Sequence, residues 1–344
     1  MSPIRRRRQL VEVLMRLMFS GTVRALLLLF AFHALTVTAA QTPPAYPQRS
    51  IRLVIPFPAG GTPDLIARTT TNQLEAEFGQ SFVIDNRAGA NGIIGTDIVA
   101  KSAPDGYTLL HVTPSFVINP RVYRKLPYDV FRDFAPIINL CTFPGYLLLV
   151  HPAVNARSVG ELIALAKSRD KPLTYGSPGI GNTLHLAAEM FNARSGTQLT
   201  HVPYKGVAPA FNALLGGEVQ VLFIPPAIAL QQVKTGRARA LAFTGAVRWA
   251  ELPELPTLGE AGLNGFSVTG GWHAWFAPAG TPRAVLQKLE SAAGRAVKLP
   301  KLREGMVAAG CEPDGSPTAL FTELLRTEER RYAEVVRAAK IEAE

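Results

Sequence analysis

The segment from Ile51 to Asp64, which reads IRLVIPFPAGGTPD, constrains the fold of this chain more than any other. Its nearly continuous apolar run up to Phe57 is typical of a strand that is covered on both faces of a parallel sheet. Gly60 and Gly61 then permit positive φ, and their missing side chains let a ligand approach the backbone closely. The segment therefore predicts a strand, a glycine turn and a helix, with backbone N–H groups that converge at the turn.

The residues after the turn have the character of a helix start. Thr62 is a suitable N-cap, Pro63 suits the first helical position, and Asp64 lies in the first turn, where the helix dipole favours an anionic side chain. The predicted helix covers 65–78 and stops at Gly79. Any βα unit needs such a turn, so a purely structural role stays open for the segment, and for Asp64 as a helix-start charge.

Strand and helix patterns alternate along the rest of the chain. A strand at 82–85, a glycine turn at 88–92, a short helix and a strand at 107–113 complete a βαβαβ series, which builds a parallel sheet with right-handed crossovers. A second series of the same kind runs from 158 to 243. The predicted fold class is therefore α/β, with a mostly parallel sheet and flanking helices in each series.

About 300 residues after the leader suggest two domains on length alone. Two apolar runs, 135–141 and 146–151, lie between the two series, and either could cross between the domains. The final third resembles a return to the first sheet. The predicted division is 46–143 with 263–344 for the first domain and 144–262 for the second.

The first 40 residues have the pattern of an export signal. Arginines at 5–8, 16 and 24 precede an apolar run at 25–37, which is 13 residues long. A membrane span needs roughly 20 residues, so the run is better explained as a signal core. Cleavage is predicted after Ala39 or Ala40, and a twin-arginine signal is a weaker alternative. The product is expected to be free in the periplasm, because no cysteine follows the signal to carry a lipid anchor.

Removing this segment changes the charge of the protein. The whole chain has 36 basic and 26 acidic residues. Loss of six arginines and one glutamate leaves 30 basic and 25 acidic residues, a net charge of +5. The remaining Lys and Arg are scattered along amphipathic helices, without a basic run interleaved with aromatic residues. Nucleic-acid binding is therefore poorly supported, whereas a mild positive field attracts small anions.

Cysteine and histidine usage points away from a metal site. Cys141 and Cys311 are far apart and are not spaced like metal ligands. The compartment permits a disulfide, two small buried thiols are the usual alternative, and the spacing alone does not decide between them. None of the six histidines forms an H-x-x-x-H pair, so we expect no bound metal and no cofactor.

A second glycine loop resembles the first. Ser177, Gly179, Gly181, Asn182 and Thr183 belong to a segment that joins a strand to a helix through glycines and ends in cap-type residues. If the two helix starts face each other across a cleft, they can hold a carboxylate from both sides without any Arg.

Longer phrases resemble one protein family. These are PQRSIRLVIPFPAGGTPDLIAR, IDNRAGANGIIGTDIVAKSAPDGYTLL, INPRVYRKLPYDVFRDFAPI, HVPYKGVAPAFNALLGGEVQVLF and FAPAGTP. They are similar, in order and over nearly the whole chain after the leader, to the TctC or Bug family of extracytoplasmic receptors for tripartite tricarboxylate transporters. The resemblance implies a Venus-flytrap receptor that closes two α/β domains around a small carboxylate and hands it to a membrane permease.

The resemblance also implies where the ligand binds. The family's first loop corresponds to 57–64, and its second loop corresponds to 177–185, where Pro178 replaces the usual Ala. Thr113 and Ser115 follow the carboxyl end of a strand, where ligands bind in open α/β sheets. His185, Tyr204 and Trp272 add side chains that either face the cleft or pack beneath it. The predicted ligand-binding residues are Phe57, Pro58, Ala59, Gly60, Gly61, Thr62, Asp64, Thr113, Ser115, Ser177, Gly179, Gly181, Asn182, Thr183, His185, Tyr204 and Trp272.

One departure from the family concerns the ligand. Family members often carry an acidic residue directly after the Phe of the strand VQVLF, and this chain has Ile224 followed by Pro225 and Pro226. Ile cannot pair with an amine or bond a hydroxyl. We therefore predict an apolar or aromatic acid rather than an amino acid, with Trp272, His273 and Trp275 as nearby aromatic surface. The receptor is expected to act as a monomer.

Two enzyme classes provide the alternatives. A secreted α/β hydrolase would need a nucleophile with a base, and Ser177 near His185 or His201 is the one tempting set. Its G-S-P-G context is not the G-x-S-x-G elbow of that fold. A nucleotide enzyme would need a complete G-x-G-x-x-G or a Walker loop with Lys, and neither glycine loop supplies one. Passive binding therefore explains the sequence better than catalysis.

Overall fold

The computed structural model describes residues 3–18, 46–168, 171–266, 268, 271–338 and 341. Eleven strands are described: β1 Ile51–Ile55, β2 Phe82–Asn86, β3 Thr108–Val112, β4 Phe134–Thr142, β5 Leu147–Val150, β6 Thr174–Ser177, β7 Thr200–Pro203, β8 Val221–Ile224, β9 Arg239–Phe243, β10 Trp272–Pro278 and β11 Glu312–Pro317. The helices are α1 Pro3–Met18, α2 Thr62–Phe78, α3 Ile93–Ala100, α4 Ser115–Val122, α5 Val159–Ser168, α6 Thr183–Ser195, α7 Val207–Leu215, α8 Pro226–Lys234, α9 Arg283–Ala296, α10 Pro300–Ala308 and α11 Thr318–Ala338, with a 3₁₀ turn at Ala90–Gly92.

The strands form two sheets, as the two series of elements predict. The first sheet has the order β11-β4-β10-β3-β1-β2, and the second has the order β7-β6-β8-β5-β9. Helices flank both sheets, so the α/β class is confirmed. We call the first sheet with its helices the first lobe, and the second sheet with its helices the second lobe.

The sheets are mixed rather than mostly parallel. In the first lobe β1 pairs in parallel with β2 and β3, but β10 runs antiparallel to β3 and β4, and β11 runs antiparallel to β4. In the second lobe β6 is parallel to β7 and β8, whereas β5 is antiparallel to β8 and β9. An apolar run shows that a strand is buried but carries no information about its direction, which explains the difference.

The chain crosses between the lobes twice. It leaves the first sheet after Thr142 and enters the second at Leu147, so the crossing lies between the two apolar runs that sequence offered for it. It returns between Phe243 and Trp272. Leu263, Phe266 and Val268 pack in the second lobe's core, which extends that lobe beyond the predicted boundary at 263.

Each lobe has its own apolar core. In the first lobe Phe116, Phe134, Phe276 and Phe321 pack together between the sheet, α4 and α11. The second sheet is covered on both faces by separate apolar clusters. Burial on both faces gives its strands continuous apolar sequences, as in VLFI of β8.

Cys141 and Cys311 form a disulfide, which settles the alternative that their spacing left open. The bridge joins β4 to the residue that precedes β11, and both cysteines are fully buried. Because 170 residues separate them in sequence, no local pattern could have indicated that they meet.

Helix α1 covers Pro3–Met18, in the predicted export signal. It carries the arginines at 5–8, and its described side chains, 5–16, are exposed. The apolar run at 25–37 and the predicted cleavage site at Ala39 or Ala40 lie outside the described residues. Within the described parts of the chain, no helix combines the length and the apolarity that crossing a bilayer requires.

Candidate functional site

A cavity lies between the two lobes, next to both crossings of the chain. Its volume is about 110 Å³, several times the roughly 10–15 Å³ that one water needs. Predicted residues that line it are Phe57, Pro58, Ala59, Gly61, Thr62, Thr113, Asn182, Thr183 and Trp272. Lining residues outside the predicted ligand-binding set are Pro63, Pro114, Phe143, Tyr146, Pro178, Leu184, Gly206, Val207, Ala208, Pro209, Pro225, Gly271 and His273.

The loop between β1 and α2 forms one wall. Gly60 has a φ of 78°, which glycine adopts without strain. Gly61, rather than the predicted Thr62, is the N-cap of α2, and Thr62 is already helical. The first N–H groups of α2 still lack intrahelical partners, as at every helix start.

Asp64 lies beneath this loop and does not line the cavity. Its carboxylate accepts hydrogen bonds from the Gly60 N–H at 3.0 Å, from Asn86 Nδ2 at 3.1 Å and from Arg68 Nε at 3.0 Å. Asn86 also donates to the carbonyl of Phe57 at 3.2 Å. Burial by itself would raise the pKa of Asp64, but the bonds from Arg68, Gly60 and Asn86 outweigh it and lower that pKa. Asp64 therefore holds the loop in place.

The loop between β6 and α6 forms the opposite wall. Asn182 is the N-cap of α6, and its side chain accepts a hydrogen bond from the Leu184 N–H at 3.0 Å. Thr183 follows it, and both residues line the cavity. Gly181 has a φ of 73°, and its N–H donates to His185 Nδ1 at 3.3 Å. Gly181 and His185 thus shape the loop from outside the cavity lining.

Ser177 is also outside the cavity lining. It is fully buried, and its Oγ is hydrogen bonded with His201 Nε2 at 2.6 Å and accepts from the Gly179 N–H at 3.1 Å. Burial lowers the pKa of His201 to about 4, far from the value near 7 that suits a general base. The pair therefore braces the loop, and the geometry gives no support to the hydrolase alternative.

The remaining predicted residues lie around the cavity. Thr113 lines it, whereas Ser115 is buried at the start of α4 and donates to Asn91 Oδ1 at 3.2 Å. Gly179 and Tyr204 line a neighbouring cavity, which shares Pro58 with the first one. Gly60 itself does not line the cavity, although its neighbours in the loop do.

Tyr146, in the first crossing, is a residue that sequence reasoning missed. It is buried, and its hydroxyl donates to Thr183 Oγ1 at 3.1 Å and accepts from the Gly271 N–H at 2.8 Å. Burial raises the pKa of this hydroxyl. The bonds connect the start of α6 with the second crossing of the chain. In the sequence, Tyr146 only begins an apolar run. That pattern does not show which groups its hydroxyl binds.

The first two residues of strand β10, Trp272 and His273, also line the cavity. Trp272 is 2 % exposed, and its Nε1–H has no hydrogen-bond partner among the residues that the structure describes. His273 lines the cavity beside it. Ile224 does not face the cavity, because its side chain is buried in a core cluster of the second lobe; Pro225 lines the cavity instead.

The lining is uncharged in the described part of the chain: it contains no Asp, Glu, Lys or Arg. Polar groups come from neutral side chains and from the starts of α2 and α6. Such a site can hold an anion through N–H groups and helix dipoles. No group of three or more His, Cys, Asp or Glu side chains within the described residues is arranged to hold a metal ion.

The two lobes touch around the cavity. A Cβ added to Gly206 in the second lobe would lie 3.4 Å from Cγ of Pro58 in the first. Gly181 of the second lobe similarly packs on Val122 of the first. Leu186 of α6 packs in the apolar cluster of the first lobe. The cavity is therefore enclosed by contacts between the lobes as well as by their loops.

Several solved structures are similar to this chain in both fold and sequence. Rpa4515 from R. palustris "with adipate" has a TM-score of 0.83 and 35% identity, covering 87% of this chain and 100% of that one. The periplasmic binding protein BugD has a TM-score of 0.81 and 32% identity, covering 87% and 100%. MatC from Rhodopseudomonas palustris "with bound malate" has a TM-score of 0.79 and 29% identity, covering 85% and 100%.

A family model matches most of the chain. It is described as "Tripartite tricarboxylate transporter family receptor", and it covers residues 66–341. The match begins within α2 and includes both crossings and the second glycine loop. Together with the two-lobed fold, it shows that this chain belongs to the TctC family of tripartite tricarboxylate transporter receptors.

Proposed function

We propose that this protein is an exported receptor that captures a small carboxylate between its lobes and delivers it to a permease of the tripartite tricarboxylate transporter type. The observation that carries the proposal is the uncharged cavity between the starts of α2 and α6. Each helix start carries about half a unit of positive charge, which stabilises an anion without a buried Lys or Arg. The adipate and malate held by two similar structures are ligands of this class.

Several neutral groups supply hydrogen bonds to the carboxylate. The hydroxyls of Thr62, Thr113 and Thr183 are on lining residues. The predicted site thus relies on N–H and O–H donors throughout.

The ligand class follows from what the lining omits. No described lining residue is acidic, so an ammonium group in the cavity would lose its water without gaining an ion pair. The apolar lining contributed by Phe57, Phe143 and Trp272 favours a hydrocarbon or aromatic body. We therefore propose an apolar, aromatic or dicarboxylic acid without an amino group.

A thermal-shift screen of the purified protein tests this function. The panel contains adipate, malate, hexanoate, benzoate and glutamate, and isothermal calorimetry follows for each acid that raises the Tm. A ligand at 100 times its Kd stabilises the folded protein by about 2.7 kcal/mol. If no carboxylate raises the Tm, the receptor function is refuted. Micromolar binding of glutamate or aspartate would instead refute the ligand class.

A charge placed at the cavity rim provides a sharper test. Ala208 lines the cavity, is exposed and lies in the first turn of α7, where Glu is well tolerated. Ala208→Glu should weaken carboxylate binding about 10-fold by repulsion at low salt. Ala208→Gln has nearly the same shape without the charge and should bind normally. Equal losses in both variants would show that size, and not the charge of the ligand, is responsible.

Export and delivery have their own tests. We propose that residues 1–40 are an export signal and that cleavage follows Ala39 or Ala40. Mass spectrometry of the protein from a periplasmic extract should show a chain that begins at residue 40 or 41. Uptake of the identified acid by cells should require both this receptor and a permease, and light scattering should give the mass of one chain.

A further inference from the structure

Three aromatic side chains form a hydrogen-bonded row that ends at the cavity. Strands β3 and β10 are antiparallel, and their register places His111 opposite Trp275. His273 lies two residues before Trp275, on the same face of β10. Trp275 Nε1 is 2.9 Å from His111 Nδ1, and His111 Nε2 is 2.9 Å from His273 Nδ1. All three are buried, and only His273 lines the cavity.

The direction of this row is set by its first member. The indole N–H of Trp275 can only donate, so His111 Nδ1 must accept. A neutral His111 then carries its proton on Nε2 and donates to Nδ1 of His273. A neutral His273 in turn carries its proton on Nε2. Each ring is therefore held in the tautomer with the proton on Nε2.

Both imidazoles are neutral at physiological pH. Burial lowers the pKa of His273 to about 3. Burial, and next the neighbouring His273, lower the pKa of His111 well below its ordinary value. A charged His111 would place an N–H against the indole N–H of Trp275, which leaves two donors facing each other. Neutral rings remove that conflict.

We propose that the Nε2–H of His273 is a ligand-selecting donor, which bonds an oxygen of the bound acid other than the carboxylate held by the helix starts. The inference rests on the proposed receptor function and deepens it. A fixed N–H donor accepts no hydrogen bond, so it favours a second carboxylate, a carbonyl or a hydroxyl oxygen and rejects an ammonium group. Nε2 makes no hydrogen bond to any described residue, so it is available to the ligand.

His111 and Trp275 are positioning residues in this scheme. They do not line the cavity, and they act by fixing the ring and the tautomer of His273. Removing the indole N–H with Trp275→Phe frees His111 to exchange its proton between the two nitrogens. His273 can then present a lone pair as well as an N–H to the cavity, and selectivity falls.

Pairs of acids that differ only in the second carboxylate test the proposal. Adipate is matched with hexanoate, and succinate with butyrate. In the wild-type protein the diacid of the better pair should bind more tightly than its monoacid. His273→Phe should remove this preference, weakening the diacid about 10- to 100-fold, as expected for a lost hydrogen bond to a charged group, and the monoacid about 2-fold or less. Trp275→Phe should reduce the preference without abolishing it.

The outcomes separate this inference from the proposed function. If His273→Phe weakens both acids of a pair equally, the residue is structural and the inference is wrong. If no acid of either pair binds the wild-type protein, the receptor proposal fails for these acids and the inference fails with it. His273→Gln, which keeps an N–H donor, should retain part of the preference, and it replaces the Phe variant if that one does not fold.

The tautomers can be observed without any ligand. In protein labelled with ¹⁵N-histidine, long-range ¹H–¹⁵N spectra should show Nδ1 unprotonated and Nε2 protonated for both His111 and His273, with assignments from the single variants. The Trp275→Phe variant should change the His111 pattern. A proton on Nδ1 of His273 in the wild-type protein would overturn the inference whichever acid binds.

Discussion

Gly181 packs against Val122 across the boundary between the lobes, so closely that a Cβ at position 181 would overlap Cγ2 of Val122. Gly181 belongs to the loop before α6, and Val122 ends α4. The contact brings the second glycine loop to its place opposite the first one. A side chain at position 181 would therefore oppose the approach of the lobes.

The first prediction concerns Gly181→Ala. The methyl group should weaken binding of the identified acid roughly 10-fold or more in calorimetry, because overpacking opposes lobe closure by about 1–3 kcal/mol. Gly236→Ala is the matched control: its φ of 74° is nearly that of Gly181, and nothing lies within 4 Å of its added Cβ. It should cost stability but not affinity. Adding Val122→Ala to Gly181→Ala should restore part of the affinity, and failure to do so would argue against the contact.

The second prediction concerns the hydroxyl of Tyr146. Tyr146→Phe leaves the buried Gly271 N–H and Thr183 Oγ1 without this partner, so the free energy of unfolding in urea should fall by about 1–3 kcal/mol. Tyr204→Phe removes a hydroxyl from a residue that lies outside the cavity and is partly exposed. It should change stability by about 0.5 kcal/mol or less. Similar losses in both variants would contradict the bridging role.

The third prediction concerns Asp64 as the residue that holds the first loop. Asp64→Ala removes the acceptor for Gly60, Asn86 and Arg68, and it should lower stability by about 2 kcal/mol and weaken ligand binding. Asp97→Ala breaks a similar (i, i+4) pair with Lys101 on α3, away from the loop, and should leave affinity unchanged.

The stability that Asp64 contributes should decrease when the pH is lowered. The pKa of Asp64 in the folded protein lies below the ordinary value of 3.8. The contribution of Asp64 to the free energy of unfolding is therefore complete above pH 3.8 and is lost as the pH falls through the folded pKa. Urea unfolding between pH 5 and pH 2.5 should therefore show a smaller acid loss in Asp64→Ala than in the wild type. Parallel pH profiles would contradict the bonds assigned to this carboxylate.

The fourth prediction concerns the bridge between Cys141 and Cys311. A bridge across 170 residues restricts the unfolded chain by up to about 5 kcal/mol. Reduction, or the double replacement of both cysteines by Ser, should therefore lower the free energy of unfolding by about 3–5 kcal/mol. Dithiothreitol should have no further effect on the double variant. An unchanged wild-type Tm under reducing conditions would show that the bridge is absent in solution.

The fifth prediction concerns the buried histidines. Burial lowers the pKa of His185 to about 3 and that of His201 to about 4, with His201 lowering that of His185 further. The unfolded state therefore binds protons that the folded state does not, below about pH 6.5 and down to these folded values. Stability should fall as the pH falls through this window, by up to about 1.4 kcal/mol per pH unit for each histidine.

Single variants provide the check for this prediction. His201→Gln should flatten the pH dependence of the unfolding free energy by about one proton between pH 6 and pH 5. His185→Asn should act similarly, because its ring is packed 4.2 Å from that of His201. A slope that is unaltered in both variants would show that these rings are protonated in the folded protein.

The sequence predicted the two loops of the site more easily than the residues that lie between the loops. The segment around Gly61 and the segment around Asn182 each join a strand to a helix, and the glycine and cap residues are visible in the printed chain. Both segments line the cavity. Tyr146 was missed as a site residue, and His273 was indicated only as nearby aromatic surface, because each belongs to an apolar run whose inward and outward positions depend on neighbouring strands.

The roles of individual polar side chains were also beyond a local pattern. Asp64 and Ser177 lie in the two loops but bond within them, and neither lines the cavity. Ile224 is the last residue of β8, whose end lies near the site, yet its side chain is buried in the core of the second lobe. A single-residue change in register exchanges the two faces of a strand, and the sequence of that strand does not reveal which face meets a cleft.

The sequence of this chain was sufficient to predict its α/β class, its two series of elements and its two glycine loops. Turns, caps and apolar periodicity depend on residues that are neighbours in sequence, so they can be recognised without the tertiary structure. The sequence was also sufficient, through family phrases, to indicate a carboxylate receptor. Strand direction, the Cys141–Cys311 bridge and the row from Trp275 to His273 came from the tertiary structure. These features join residues distant in sequence, and side-chain contacts of that kind exist only after the sheets have formed.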